Sequence, residues 1–339
     1  MAATIPYRET IELEKAFASA MKSIARRADL KTHIEQTPAL YSLLNRAAAR
    51  YVTGESRSDG LAAQQRLMDK GYVVSLEYIG ENTTNLQDCE DAQAELSHLI
   101  SDLSTRNKAA RVSFDLSHIG LLLDHELTYR HLIALAEQAK HANIELFISM
   151  EESAKTDDIL AIYKRAARDY SHIGITLQAQ LNRTEQDLID LSSGTSRIRL
   201  VKGAYQEPES ISIARSSILN ERYLRLIEQA VEQGHLLSIA THDESIIDEV
   251  VRRGWIRSSA VEFEMLYGIR PDLSCKLNAA GHPVRIYLTY GQEWYLYLCH
   301  RIAEYPPNLF QAVLDMSAAE QLDPLRDYNG KNTQPVPRH

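Results

Sequence analysis

The segment RIRLVKGAYQEPESISIARSSILNERYLRLIEQAVEQGHLLSIATH, residues 197–242, decides the fold class of this chain. It begins and ends with short apolar runs rich in β-branched residues, RIRLVKG and LLSIATH. Between them, NERYLRLIEQAVEQG places apolar residues three and four apart, as on one face of a helix. A strand, an amphipathic helix and a second strand in this order predict two parallel strands joined by a right-handed crossover.

The same alternation extends along the chain in both directions from this unit. Eight short apolar runs are predicted to be strands, at 72–80, 110–117, 144–151, 173–179, 197–203, 236–242, 260–266 and 284–290. Eight parallel strands predict a closed (β/α)8 TIM barrel, with an open doubly wound sheet as the alternative. The predicted organisation is an N-terminal helical segment over 1–70, the barrel over 71–322 with an extra C-terminal helix within 292–320, and an extended tail over 323–339.

Composition narrows the class of protein. The chain has 339 residues, 44% of them hydrophobic and 24% charged, with a net charge of −9 and no dense Lys/Arg block, which argues against nucleic-acid binding. Cys89, Cys275 and Cys299 are far apart, so no disulfide framework and no metal site is predicted, and each thiol is expected to be a small buried apolar group. The absence of a signal-peptide pattern and of an apolar run near ~20 residues predicts a cytoplasmic protein without a membrane span.

Strand alternation predicts where the polar side chains of the barrel gather. In VSFDLS, the apolar positions face the surrounding helices, which leaves Ser113 and Asp115 inside the barrel. The same argument turns Thr176, Gln178 and Arg199 inward. It also turns inward Arg197, Val201, Arg285 and Tyr287. The later positions of these strands lie at the carboxyl end of the barrel, where active sites of such barrels are built.

Several strings resemble those of the FAD-dependent proline dehydrogenase family. RIRLVKGAYQEP (197–208) is similar to the signature of the family's fifth strand. The resemblance continues, in family order, through VSLEYIGE (74–81), ISMEES (148–153), GITLQAQLNRT (174–184), SIATHDE (238–244), VEFEMLYGIRPDL (261–273) and VRIYLTYGQEWYLYLCHRIAEYPPNL (284–309). It implies a barrel that binds FAD, reduces it with a proline-like substrate and passes electrons to an acceptor. No GxGxxG motif occurs, which fits a barrel flavoprotein rather than a Rossmann one.

The resemblance assigns cofactor roles residue by residue. Arg199 matches the arginine beside flavin N5, where a cation stabilises the reduced, anionic flavin. The other implied flavin contacts are Gln178, Val201, Lys202, Gly203, Ala204, Thr241 and His242. Two alternatives stay open: Arg199 as a barrel-core arginine paired with a carboxylate such as Glu151, and His242 as a core histidine.

Substrate roles follow from the same resemblance. Tyr205, Leu266, Tyr287 and Tyr297 match the apolar and aromatic walls that hold a flat ring against the flavin. Arg301 matches one of two adjacent arginines that bind the substrate carboxylate. A small-molecule amino acid or amine is the implied partner, with a quinone, oxygen or another acceptor taking the electrons and a peripheral membrane contact through that acceptor.

Three charged positions of the family's substrate pocket differ in this chain. The first arginine of the pair is His300, the strand-two lysine is Asp115, and a supporting strand-three aspartate is Ser149. The pocket is therefore about two charges more negative than the family pattern, counting His300 as neutral. Local compensation, such as an Asp115–Arg301 salt bridge, is one interpretation; altered substrate choice is the other.

Three functions remain open from the sequence. The first is a flavoenzyme that oxidises a C–N bond in a proline-like amino acid or amine other than free L-proline. The second is an ordinary proline dehydrogenase with a rebuilt carboxylate site. The third is a flavin-binding protein without catalytic activity.

Overall fold

Each of the eight predicted strands forms in the computed structural model, which describes residues 7–25, 27–106, 110–191, 196–318 and 322–328. The strands are β1 Val73–Tyr78, β2 Arg111–Phe114, β3 Glu145–Ile148, β4 Ile173–Gln178, β5 Ile198–Val201, β6 Leu237–Ala240, β7 Val261–Leu266 and β8 Val284–Tyr290. All neighbouring strands are parallel, and β1 pairs with β8 from Val73↔Arg285 to Tyr78↔Tyr290, which closes the sheet. The (β/α)8 barrel is thus confirmed, and the open-sheet alternative is wrong.

Helices precede, surround and follow the barrel. Four of them, α1 Tyr7–Ala25, α2 Ala28–Glu35, α3 Pro38–Ala48 and α4 Arg57–Asp69, come before β1. Between the strands lie α5 Leu86–Ser104, α6 His125–His141, α7 Thr156–Ala167, α8 Thr184–Asp190, α9 Ser217–Glu232, α10 Glu244–Arg252 and α11 Pro271–Ala279. The C-terminal helical segment is two helices, α12 Trp294–Glu304 and α13 Asn308–Ser317, rather than one.

Two apolar clusters hold these elements together. The larger one fills the space between the outward faces of the strands and the helices of the barrel, with Val112, Phe114 and Leu200 fully buried. The smaller one joins helices from both ends of the chain, and in it the rings of Tyr41 and Trp294 meet edge to face at 5.2 Å. The second cluster fixes α12 across the carboxyl end of the barrel.

The interior of the barrel is charged rather than apolar. Arg111 is fully buried, and its guanidinium donates to Glu145 at 2.7 Å, Glu262 at 2.8 Å and Glu264 at 2.8 Å. Arg285 donates to Glu262 at 3.1 Å. Burial opposes ionisation of Glu262, but the arginines outweigh it and lower the pKa of this carboxyl. The alternation of polar and apolar positions in the strands therefore encodes an internal ion network.

A single aromatic ring separates two arginines of this network. The ring centroid of Phe147 lies 4.5 Å from the guanidinium carbon of Arg111 and 4.3 Å from that of Arg199. Gly174 on the neighbouring strand permits this placement, because a Cβ there would lie 2.3 Å from the Phe147 ring. Both cations therefore contact the same aromatic ring.

The residues after α13 differ from the extended tail expected from residue 323. Pro324–Asp327 forms a 3-10 turn, and Leu325 and Tyr328 are buried against the barrel, with the rings of Tyr328 and Tyr267 stacked at 5.9 Å. Burial of Leu325 and Tyr328 therefore holds this short segment against the barrel, although its proline content predicted an extended tail. Residues 329–339 lie outside the described part of the chain.

The expectation for the thiols is confirmed in part. Cys89 and Cys299 are buried, whereas Cys275 is half-buried and accepts a 3.5 Å hydrogen bond from the Tyr72 hydroxyl. Among the described helices, none has the length and hydropathy needed to cross a membrane.

We expect Arg111→Met to destabilise the protein by about 3–5 kcal/mol, because it leaves buried carboxylates without their shared cation. The measurement is the urea dependence of unfolding. Arg252→Met is the control: Arg252 pairs with Glu249 on the surface of α10, so its loss should barely move the denaturation midpoint. Equal midpoints for the two variants would contradict a structural role for the network.

Candidate active site

A cavity of about 1100 Å³ opens at the carboxyl ends of the strands and is covered on one side by α12. Every residue that the sequence singled out for cofactor or substrate lines it. On the strands and their loops these are Asp115, Ser149, Gln178, Arg199, Val201, Lys202, Gly203, Ala204, Tyr205, Thr241, His242, Leu266 and Tyr287, and on α12 they are Tyr297, His300 and Arg301. The structure therefore brings all of them together around one space.

Arg199 lies on the floor of the cavity. Its Nη2 donates to Glu264 at 2.8 Å and to Ser113 at 2.9 Å, and its guanidinium lies 4.8 Å from the Tyr287 ring centroid. Burial disfavours the charge, but Glu264 outweighs it and raises the pKa of Arg199. Its Nε is buried and has no partner among the described residues.

The carboxylate partner suggested for Arg199 from the sequence is wrong. Glu151 instead accepts from Lys155 Nζ at 2.6 Å and from the Ser117 amide at 3.0 Å. The reason is geometric, because Glu264 projects into the barrel beside Arg199 from β7. Arg199 is thus both a paired barrel-core arginine and a residue that lines the cavity.

The loop after β5 lines one wall of the cavity, at the positions where the sequence predicted cofactor contacts. Gly203 has φ +113°, a left-handed conformation that favours glycine, and a Cβ there would lie 2.3 Å from Gln180. Lys202 pairs with Asp243 at 2.6 Å. Burial opposes ionisation of Asp243, but this lysine helps to lower its pKa to about 2. Lys22 of α1 donates to the Ala204 carbonyl at 3.0 Å, so α1 contacts the loop.

His242 lies at the end of β6 and acts as an acceptor. Its Nε2 accepts from the Leu266 amide at 2.8 Å, which fixes the ring against β7. Burial, with smaller contributions from Arg301 and Arg270, lowers the pKa of His242 to about 3, so the imidazole is neutral near pH 7. The hydrogen bond from Leu266 fits the alternative that His242 is a core histidine. Because His242 also lines the cavity, it could still contact a ligand.

Arg301 faces the strands from α12. Its Nη2 donates to Glu304 at 2.6 Å, and its guanidinium lies 4.8 Å from the Tyr297 ring centroid. Its Nε is buried without a partner among the described residues. The suggested Asp115–Arg301 salt bridge is therefore wrong, because Glu304, one helical turn away, takes the arginine.

Asp115 lines the cavity from the strand side, directly after β2. Its carboxyl group is enclosed by protein, although the side chain keeps part of its accessible surface, which faces the cavity. Burial, followed by the charges of Glu151 and Glu77, raises the pKa of Asp115 well above its usual range. The neighbouring Ser149 hydroxyl hydrogen-bonds Tyr287.

Glu77 is a cavity residue that sequence reasoning missed. It lies on β1, in register with Ser113 on β2 and Thr289 on β8, and its carboxyl accepts a hydrogen bond from Tyr287. Burial raises the pKa of Glu77 to about 7, although Tyr287 and Arg199 act in the opposite direction. Alternation in VVSLEY carried the signal, because Glu77 stands two positions after the inward Ser75.

The comparison with protein-family models identifies the chain. The proline dehydrogenase model matches residues 61–306. The chain belongs to the proline dehydrogenase family. Members of this family are FAD-dependent oxidoreductases that act on CH–NH donors.

Curated relatives agree with this assignment. Proline dehydrogenase 2 of Bacillus subtilis (strain 168) is 31% identical over 274 residues, covering 80% of this chain and 90% of the relative. Proline dehydrogenase of Deinococcus radiodurans is 32% identical over 304 residues, covering 87% of this chain and 96% of the relative.

Solved structures share the fold. Proline utilization A from Bdellovibrio bacteriovorus superposes with a TM-score of 0.71 at 14% identity, covering 95% of this chain. A Bradyrhizobium japonicum proline utilization A mutant gives 0.67 at 18% identity and 80% coverage. This chain spans 45% and 32% of those longer proteins, so the likeness concerns one part of each.

The raised pKa of Glu77 predicts how the stability of this proline dehydrogenase family member depends on pH. A carboxyl whose pKa is raised on folding binds its proton more tightly in the folded state, so its contribution to stability is largest at low pH. That contribution is lost as pH rises from about 4.5 to about 7, and amounts to roughly 3 kcal/mol at most. Glu77→Gln should therefore gain stability relative to wild type across this window.

The measurement is the free energy of urea unfolding at a series of pH values with FAD in constant excess. Glu90→Gln, an exposed substitution on α5, is the matched control and should run parallel to wild type. Parallel curves for Glu77→Gln and wild type would rule out a raised pKa at Glu77.

Proposed function

We propose that this chain is a FAD-dependent dehydrogenase that oxidises a C–N bond of a proline-like amino acid or amine other than free L-proline. Family membership supports the reaction class. The observation that carries the choice of substrate is Asp115, an acid that lines the cavity at the position of the family's lysine.

The residues present fit FAD as the cofactor. The cavity exceeds the roughly 300–1,000 Å³ typical of small-ligand sites. The Arg199 Nε is a buried donor without a partner among the described residues, and Gly203 removes the Cβ that would crowd its loop. We assign the flavin wall to Arg199, Gln178, Val201, Lys202, Gly203, Ala204, Thr241 and His242.

Residues of the chain prepare the site in distinct ways. FAD, when bound, supplies the acceptor for the hydride that leaves the substrate carbon. Arg199 holds a positive charge at the cavity floor, and Glu264 fixes its orientation. The Gln178 side chain is held by its donation to the Glu151 carbonyl at 2.9 Å. Tyr205, Leu266, Tyr287 and Tyr297 supply the apolar walls that orient a flat ring and exclude water.

Electrostatics at the substrate end disfavour free L-proline. A carboxylate near Arg301 competes with Glu304, which already holds that guanidinium at 2.6 Å. The same carboxylate would meet Asp115 and Glu77 across the cavity. His300 offers a weaker hold than an arginine, because it lacks the planar fork that binds a carboxylate through two parallel hydrogen bonds.

The second candidate is an ordinary proline dehydrogenase. The names of the similar Bacillus subtilis and Deinococcus radiodurans proteins favour it. In that case Arg301 exchanges Glu304 for the substrate carboxylate. A turnover assay with an artificial electron acceptor decides between these activities and a catalytically silent protein.

The flavin assignment predicts a yellow protein that releases FAD when it is denatured. Relative to Arg199→Lys, Arg199→Met should lower the flavin midpoint potential by at least about 30 mV, the equivalent of 1.4 kcal/mol for two electrons. Arg199→Lys is the matched control because it keeps the positive charge, and Glu264 keeps Arg111 as a partner in both variants. The measurement is a redox titration, and equal potentials in the two variants would place Arg199 away from the flavin.

The substrate assignment predicts that wild type oxidises L-proline poorly. Asp115→Lys combined with His300→Arg should raise kcat/KM for L-proline by at least about 100-fold, because two charge-assisted hydrogen bonds are worth about 3 kcal/mol or more. Asp115→Asn, which removes the charge without adding a cation, should gain much less. Steady-state kinetics with an artificial acceptor provide the test. Efficient L-proline oxidation by wild type would defeat the proposal.

A further inference from the structure

We infer that the part of the cavity beside Asp115 binds a cationic nitrogen of the substrate, so that the substrate carries a second positive charge besides the amine that is oxidised. This inference rests on the proposed function and names the chemical class that replaces free L-proline.

The carboxylate of Asp115 has no hydrogen-bond or ion-pair partner among the described residues. In the part of the chain that the structure describes, its carboxylate accepts no hydrogen bond and forms no ion pair, although it is enclosed by protein and lines the cavity. Other acids of this wall are engaged: Glu151 by Lys155 and Ser117, and Glu77 by Tyr287. An enclosed carboxylate aimed into a cavity is a position for a ligand donor.

The second observation is the local balance of charge. Asp115 lies within electrostatic range of the acids Glu77, Glu81 and Glu151 and of the cation Lys155. That lysine already donates to Glu151 at 2.6 Å and to Glu152 at 2.9 Å. Among the largest electrostatic influences on Asp115, three acids therefore face one cation, and that cation, Lys155, is already paired.

The cations on the other walls are committed as well. Arg301 donates to Glu304 at 2.6 Å, and Arg199 donates to Glu264 at 2.8 Å. Neither charge neutralises Asp115, so a positive charge has to come from the ligand if this carboxyl is to ionise in place. A buried carboxylate is stabilised most by a charge-assisted hydrogen bond from a cation.

Aromatic groups complete the subsite. Tyr205 and Tyr287 line the same cavity as Asp115, and after burial the charge of Asp115 contributes to the raised pKa of both hydroxyls. Carboxylates combined with aromatic faces are the groups that recognise ammonium ions. A neutral amide would gain one hydrogen bond here but leave the excess negative charge unbalanced, and a carboxylate would be repelled.

The test uses three probes of equal length on one ring: pyrrolidine-2-acetate, its amide, and 2-(2-aminoethyl)pyrrolidine. They place a negative, a neutral and a positive group at the same distance from the oxidisable amine. Each is titrated anaerobically against the FAD-loaded protein, and dissociation constants come from changes in the flavin spectrum. We expect the diamine to bind at least about 10-fold more tightly than the amide, and the acetate most weakly.

Variants separate the subsite from the rest of the cavity. Asp115→Asn, which keeps the shape of the side chain, should weaken diamine binding at least about 10-fold and change amide binding less than about twofold. Glu77→Gln should weaken the diamine by a smaller factor, and it remains informative if Asp115→Asn fails to fold. Glu90→Gln on the surface controls for a general charge effect.

The outcomes distinguish this inference from the proposed function. Tighter binding of the amide than of the diamine, failure of the diamine to bind, or diamine binding that both variants leave unchanged would overturn the cationic subsite, while a poor response to L-proline would leave the proposed function standing. Rapid flavin reduction by L-proline in wild type would instead overturn the proposed function.

Discussion

The carboxylate of Glu264 is the interaction on which the rest of this structure depends. It lies between two buried guanidinium groups, accepting from Arg111 at 2.8 Å and from Arg199 at 2.8 Å. On one side it joins the ion network that fills the barrel, and on the other it holds the cation that faces the cavity. Removing one partner from such a network costs far more than an exposed ion pair is worth, so stability and electrostatics at this site are coupled.

The same constraint explains the division of the cavity into two halves. The ends of β5 and β6 present cations and amides, with Lys202 neutralised by Asp243, and suit a cofactor. The ends of β1 and β2 present the carboxyls of Glu77 and Asp115, whose pKa values are raised chiefly by burial. Under the proposed function, a substrate between these halves would be selected by its charge as well as by its ring.

Much of this arrangement could be predicted from the sequence. Strand alternation placed Asp115, Gln178 and Arg199 inside the barrel, and the structure agrees because the period of a strand fixes the face of every residue. The partner of each buried arginine was harder to predict from the sequence. Whether Arg301 meets Asp115 or Glu304, and whether Arg199 meets Glu151 or Glu264, depends on distances between elements that periodicity does not contain.

The closure of the barrel has a consequence for how the protein matures. Val74 of the first strand pairs with Ile286 of the last strand. The outer edge of β1 therefore has no hydrogen-bonding partner until β8 has been made. Arg301, which lines the cavity, follows later in the chain on α12. Contacts between such distant parts of a chain slow folding, because a long loop has to close before they form. On the ribosome, the strands made first therefore remain without their closing partner until almost the whole catalytic region has been synthesised. Until β8 is available, nascent chains are open to aggregation through the free edge of β1.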